Sequence, residues 1–263
     1  MSRRFSMDRR SYLKVAGVAS TAGLAGCLSS FGAGGDQEIV AGTAPGFPPF
    51  EMKEGGDLVG FDIDLLEAVV EETDYELTEW REFEFSSLIP ALTNENIDVV
   101  AAAMTINDER DETIDFTDPY YNADQAILVR EDGSFSPGSL DDLSGHAVGA
   151  QEGTTGASVV DEELVQSGDL EESNFKTYGS YVLAVEDLVN ENLDAVVVDT
   201  PVANTFEAQR PVTIAFTYET GERYGFGLRE DADDMTSALN DGLAAVQDSG
   251  EYEEIRNEWF SEA

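Results

Sequence analysis

Cysteine and histidine are almost absent from these 263 residues: Cys27 and His146 are the only ones. A lone cysteine makes no disulfide framework, and the pair makes no Cys/His metal site. There is no Gly-x-Ser-x-Gly elbow and no second histidine to activate a nucleophile. Basic residues are scarce as well, 14 Lys and Arg against 55 Asp and Glu, a formal −41. Phosphate backbones are gripped by Lys and Arg, so nucleic acid is not an expected partner. Composition does not exclude a paired-carboxylate hydrolase, but no particular pair of acids stands out. What is present suffices for real cores: 41% hydrophobic residues, 10% of all residues being aromatic. Such a chain folds rather than staying disordered, as one large domain or two small ones.

The charge is unevenly placed. Residues 1–26 hold Arg3, Arg4, Arg9, Arg10, Lys14 and one acid, Asp8, followed by a short apolar run, Val15 to Ala25. This is the layout of an export signal, and the run is well short of the roughly 20 residues that span a bilayer. Asp8-Arg9-Arg10-Ser11-Tyr12-Leu13-Lys14 resembles a twin-arginine motif. Leu24-Ala25-Gly26-Cys27 resembles a lipobox, which implies a lipid on Cys27. An uncleaved membrane helix is the alternative. Residues 27–37, rich in Gly and Ser, read as a flexible tether. Without residues 1–26, nine basic and 54 acidic residues remain, a formal −45. These acids are spread over the whole length. Their mutual repulsion is screened within roughly 3 Å at molar salt, so the pattern predicts a halophilic source. An acidic protein from an ordinary environment is the alternative.

Beyond the tether, short apolar runs alternate with helical patterns, which predicts α/β architecture with mainly parallel sheets flanked by helices. The predicted strands are 39–43, 75–80, 98–104, 125–130, 146–150, 175–178, 195–198, 213–218 and 224–229. Helices are predicted at 61–73, 88–93, 157–166, 181–190, 200–208, 233–248 and 251–260. Ser86 or Ser87 is placed to cap the second of these. One segment repeats. Asn94-Glu95-Asn96-Ile97-Asp98-Val99-Val100 matches Asn190-Glu191-Asn192-Leu193-Asp194-Ala195-Val196. Each copy ends a helix, turns and enters an apolar strand, and each strand leads into polar residues. Two such units suggest two lobes facing one cleft, although two ordinary αβ turns can coincide by chance.

The residues just beyond those strands carry the candidate chemistry, because ligands of open α/β sheets bind there. An amino-acid carboxylate needs a guanidinium and hydroxyl donors, for which Arg110, Thr105 and Thr155 are placed. An ammonium needs a carboxylate, for which Asp199 is placed. Position alone leaves other readings open. Arg110 is equally placed to pair with Asp108, Glu109 or Asp111 on the surface, and Asp199 to cap the helix at Thr200-Pro201. Gly153-Thr154-Thr155-Gly156 opens a helix but lacks the lysine of a nucleotide P-loop. Phe47, Phe50 and Phe85 are candidates to wall an apolar slot, with Phe50 the more structural of them. His146 reads as structural.

Taken together, Pro48-Pro49-Phe50, Leu58 to Asp64, Leu88 to Leu92, Met104 to Arg110, Asp115 to Tyr121, Gly153-Thr154-Thr155, Asp194 to Asp199 and Trp259-Phe260 resemble a known family. It is the family 3 extracellular solute-binding proteins of polar amino-acid ABC importers, and the likeness covers residues 38–263. The resemblance implies a two-lobed periplasmic-binding-protein-like fold (type II) with a two-strand hinge. Lobe one spans 38–124 plus 221–263 and lobe two 125–220. It also implies a monomer without cofactor or catalytic residues; with the lipobox-like run at Cys27 and the acidic charge, the expected place is the extracellular face of a haloarchaeal cell membrane, anchored through Cys27. Its partners would be a free amino acid and an ABC permease. Arg110 matches the carboxylate-binding arginine, Thr105 the hydroxyl beside it, and Ala103 a backbone carbonyl for the ammonium. Thr155 matches a second carboxylate donor and Asp199 the ammonium partner. Phe47 and Phe85 match aromatic walls, and Gln151 lies where members touch the ligand side chain. Ala44 departs from the pattern. Many members have Asp there, against a polar or cationic side chain, so a neutral polar or apolar amino acid is expected. A dehydratase-like enzyme on the same fold and a ligand-sensing receptor domain are the alternatives.

Overall fold

The computed structural model describes residues 37–260. The predicted export signal, Cys27 and the predicted tether as far as residue 36 lie outside the described residues. Residue 37, assigned to the tether, already belongs to the first strand. In chain order the elements are β1 (Gln37–Thr43), β2 (Met52–Glu54), β3 (Asp57–Val59), α1 (Phe61–Glu71), β4 (Tyr75–Glu82), α2 (Leu88–Thr93) and β5 (Val99–Val100). Then come α3 (Asp108–Asp111), β6 (Asp115–Phe116), β7 (Tyr121–Arg130), β8 (Val148–Gln151), α4 (Thr155–Val160), β9 (Phe175–Tyr178) and α5 (Tyr181–Val189). The chain continues through β10 (Ala195–Asp199), α6 (Thr200–Gln209), β11 (Val212–Tyr224), β12 (Gly227–Leu228), α7 (Asp233–Ser249) and α8 (Glu251–Phe260).

The strands form two five-stranded sheets, in the orders β4-β1-β5-β12-β6 and β11-β7-β10-β8-β9, with β2 and β3 as a separate hairpin. Alternation predicts mainly parallel sheets; both are mixed. In the first, β1 runs parallel to β4 and β5, while β12 is antiparallel to β5 and β6. In the second, β8 runs parallel to β9 and β10, while β7 is antiparallel to β10 and β11. The antiparallel strands in each are those bordering the passages between the sheets, where no helical crossover intervenes to force parallel pairing.

The repeat is a shared structural unit. Glu95 and Glu191 both turn at positive φ, 58° and 65°. Asp98 Oδ2 accepts the Val40 amide at 2.9 Å, and Asp194 Oδ2 accepts the Ala147 amide at 3.0 Å. Each aspartate thereby fastens the start of its strand to the preceding parallel strand.

The helices bury the stripes their sequences lay out, with Phe61, Leu65, Leu66 and Val69 of α1 buried together. Gly60 precedes α1 at φ 145°, and a Cβ there would fall 2.0 Å from the Phe50 carbonyl oxygen. Only glycine allows this approach, and it packs the loop at 47–50 against α1. Phe50 is fully buried. Its ring meets the edges or faces of Phe61, Tyr121, Tyr224 and Phe260 at centroid separations of 5.9, 5.0, 5.3 and 5.3 Å. This cluster seats α8 on the two strands that join the lobes.

Those strands are β7 and β11, paired at Tyr121–Ala123 with Glu222–Tyr224. The strand predicted at 213–218 extends through to Tyr224, and the one predicted at 224–229 shrinks to β12. The residues between, 219–221, look like a turn. They stay in the strand as an irregularity because Asp124 Oδ1 accepts the amides of Thr220 and Gly221, at 2.9 and 2.8 Å. The predicted strand 98–104 also shortens, to Val99–Val100. Ala103 sits at φ 45°, and its amide is drawn out of the sheet to the Asp62 carboxylate at 2.6 Å.

Candidate ligand-binding site

The parallel strands of the two sheets point their carboxyl ends at one another, and one cavity lies between them. It is lined by Ala44, Phe47, Glu51, Phe85, Ala102, Ala103, Thr105, Arg110, Gln151, Thr154, Thr155 and Asp199. All eight candidates named from the sequence for this site, Phe47, Phe85, Ala103, Thr105, Arg110, Gln151, Thr155 and Asp199, are on this wall. Ala44, beyond β1, and the loop after β5 supply one side. Gln151 at the end of β8, the start of α4, and Asp199 at the end of β10 supply the other.

Arg110 is buried, with 9% of its surface exposed. None of the salt bridges among the described residues involves it, so the surface ion-pair reading is set aside. Its Nη1 donates to the Thr105 carbonyl at 2.7 Å and its Nη2 reaches across to the Gly153 carbonyl at 2.9 Å. The guanidinium lies over the Phe85 ring, 5.3 Å from its centroid, a cation–π arrangement. Its short helix, α3, is held by Asn107, whose Oδ1 accepts the Arg110 amide at 2.9 Å. Burial lowers the Arg110 pKa, and the carboxylates of Glu222 and Asp199 oppose that shift.

Asp199 precedes α6, yet its side chain makes no capping bond. Its Oδ1 accepts the Tyr224 hydroxyl at 2.6 Å instead. Burial, with Glu222 adding repulsion, pushes the Asp199 pKa up to about 8. Ala103 is held at positive φ by Asp62, whose Oδ2 also accepts the Tyr120 hydroxyl at 2.6 Å. Burial pushes the Asp62 pKa up to about 7.

Thr154 opens α4 as its N-cap, accepting the Ala157 amide at 3.3 Å. By contrast Ser87, before α2, makes no side-chain cap bond. Thr155 Oγ1 donates to Thr105 Oγ1 at 3.1 Å, joining the two sides of the cavity. His146 stands away from the site, against Asp194 at 3.2 Å and stacked on Phe135.

Two acids at this site were not picked out from the sequence. Glu51 lies in the cavity wall, fully buried, and neither carboxylate oxygen has a hydrogen-bond partner. Burial first, then the charges of Asp62 and Asp199, raise its pKa well above the ordinary carboxylate range. Glu222, on β11, is also buried. Its Oε2 accepts the Thr105 hydroxyl at 2.6 Å, and its Oε1 accepts from Gln125 Nε2 and Thr220 Oγ1 at 2.7 and 2.8 Å. Against these stands one guanidinium, that of Arg110. Neither Glu51 nor Glu222 carried a local signal in the sequence that set it apart from the other acids.

Two mixed α/β lobes, joined by two strands, frame a cavity lined by one guanidinium and by buried acids, a site for a small ligand. Residues 39–262 match the bacterial extracellular solute-binding proteins, family 3, and the chain belongs to that family. It is 31% identical over 244 residues to the arginine-binding extracellular protein ArtP of Bacillus subtilis, covering 90% of this chain and 91% of that one. It is 32% identical over 246 residues to ABC transporter arginine-binding protein 1 of Escherichia coli, covering 90% and 97%. The solved structure of an ancestral arginine-binding protein bound to arginine superposes with a TM-score of 0.79 at 35% identity, covering 85% of this chain and 98% of that one. Family and relatives make this a binding protein and not an enzyme.

Proposed function

We propose that this protein captures a free amino acid with a cationic side chain between its lobes and delivers it to an ABC permease. The observation that carries the ligand class is Glu51, buried in the cavity wall with both oxygens unpartnered. An unpaired buried carboxylate is costly, and a guanidinium or ammonium beside it removes that cost. The other poles account for the rest of an amino acid. Arg110 suits its carboxylate, as a bidentate donor. Asp199 suits its ammonium. Phe47 and Phe85 flank the stem of the side chain, and Gln151 and Thr155 contribute from the second lobe. The neutral side chain expected from the sequence followed from Ala44 alone. Glu51 brings an acid to the same cavity from further along the chain. Arginine in the names of the relatives agrees with that choice.

Residues 38–124 with 221–263, and 125–220, act as the two lobes and close about β7 and β11. A lipid on Cys27, with residues 27–36 as tether, holds a monomer at the outer face of the membrane. The acidic surface suits concentrated salt. The test is titration calorimetry with single amino acids in high salt. Arginine or lysine binds most tightly. Tighter binding of leucine or glutamine overturns the ligand class, and no binding of any amino acid overturns the function.

A further inference from the structure

We propose that Glu222 is a positioning residue of this site: by taking the hydroxyl proton of Thr105, it makes the Thr105 oxygen an acceptor for the ligand's ammonium. This rests on the amino-acid reading above. A threonine hydroxyl has one proton and two lone pairs. The Thr105 proton is committed to Glu222 Oε2 at 2.6 Å. The Glu222 carboxylate meets only donors, since its other oxygen takes protons from Gln125 Nε2 and Thr220 Oγ1. Thr155 Oγ1 fills one Thr105 lone pair from the other lobe. The oxygen that remains on the cavity wall can only accept, so it repels a carboxylate and attracts an ammonium. This moves the Thr105 hydroxyl from the carboxylate end, where its sequence position put it, to the ammonium end.

The placement also ties the ammonium pole to both connecting strands. Glu222 lies on β11 opposite Ala123 of β7. Gln125 of β7 donates from its Nε2 to Glu222 at 2.7 Å. The backbone around Thr105 is stitched to the same strand, with the Ile106 amide on the Arg223 carbonyl at 2.8 Å and the Gly225 amide on the Met104 carbonyl at 3.1 Å. An ammonium has three protons. Asp199 from one side of the cavity and the Ala103 carbonyl and Thr105 Oγ1 from the other are three acceptors, and Glu222 fixes the third.

Glu222→Gln tests this with little change in size. The amide oxygen stays toward the two donors, Gln125 and Thr220, and the NH2 turns to Thr105. Thr105 then accepts from that NH2, and its own proton is freed toward the cavity, where it opposes an ammonium. The probe is L-arginine, titrated into wild type, Glu222→Gln, Thr105→Val and the double variant. Glu222→Gln weakens binding by roughly 10- to 100-fold, the range of a hydrogen bond to a charged group. In the Thr105→Val background the same change has no further effect, and Thr105→Ser, which keeps the hydroxyl, restores the sensitivity. Additive losses, or a Glu222→Gln protein that binds as wild type does, overturn the proposal. If Glu222→Gln lacks the wild-type circular dichroism, Thr105→Val carries the test. It weakens L-arginine and L-arginine methyl ester, which keeps the ammonium and lacks the carboxylate, by similar factors. A loss confined to arginine overturns the assignment. A wild-type protein that binds no amino acid overturns the underlying reading instead, and this proposal with it.

Discussion

Asp62 takes the amide proton of Ala103 at 2.6 Å, and Ala103 is held at φ 45°, a region a residue with a Cβ rarely adopts. The carboxylate of α1 therefore shapes the loop that follows β5, and that loop faces the cavity. Asp62→Ala leaves the Ala103 amide and the Tyr120 hydroxyl buried without their acceptor. Each unsatisfied group costs about 1–3 kcal/mol. Urea unfolding will show a stability loss of that size or twice it, together with weaker ligand binding. Ala103→Gly removes the strain at positive φ and keeps the backbone carbonyl. It leaves stability level or slightly raised and binding within a few-fold of wild type.

Arg110 bridges the lobes as well as facing the cavity, through the carbonyls of Thr105 and Gly153. Lysine keeps the charge and loses the fork. Arg110→Lys will weaken amino-acid binding by at least about 100-fold, the effect of losing two charge-assisted hydrogen bonds. The circular dichroism spectrum will not change. Calorimetry showing unchanged affinity would remove Arg110 from the site.

Protons will leave when the ligand enters. Burial pushes the Asp199 pKa up to about 8 and raises that of Glu51 well above the ordinary carboxylate range. Raised carboxylate pKa values mean that the folded state binds protons more tightly than the unfolded one. Their contribution to stability is therefore fullest below pH 4 and declines as pH rises through about 8 for Asp199. A cation beside each carboxylate reverses the shift and expels its proton. Calorimetry near pH 7 in buffers of differing ionisation enthalpy will show proton release on binding, greater for arginine than for glutamine. Affinity will rise with pH between 5 and about 8. Proton uptake, or equal release for both ligands, contradicts the placement of the side chain at Glu51.

The acidic surface predicts salt dependence. Few of the acids are paired, and the ion pairs among the described residues are at least partly exposed, such as Lys53–Glu82 and Arg256–Glu253. Thermal unfolding in 0.1 and 2 M KCl will show a midpoint higher by more than about 5 °C in the concentrated salt, equivalent to roughly 2 kcal/mol in a domain of this size. An unchanged midpoint means that the charge is not a halophilic adaptation.

The cavity was legible where its residues follow apolar strands. Thr105, Arg110, Thr155 and Asp199 stand just beyond strand ends, and that topology places them whatever their packing. The repeat was legible because Asp98 and Asp194 do the same work in each lobe. Glu51 and Glu222 were not legible. Among 55 acids, nothing local separates a buried carboxylate from a solvated one. Tertiary packing alone brings Glu222 to Thr105, across 117 residues. Strand lengths failed for a related reason. Asp62 ends one strand early and Asp124 keeps another whole, and both act through bonds to distant amides.

The central claim is that Glu51 receives a cationic side chain. Its most direct test is calorimetric titration of L-arginine and L-glutamine into wild type and Glu51→Gln at the same salt and pH. The account predicts that wild type prefers arginine, and that Glu51→Gln lowers arginine affinity by roughly 10- to 100-fold while leaving glutamine level or improved. Equal losses for both ligands, or an arginine preference that survives the substitution, would contradict it.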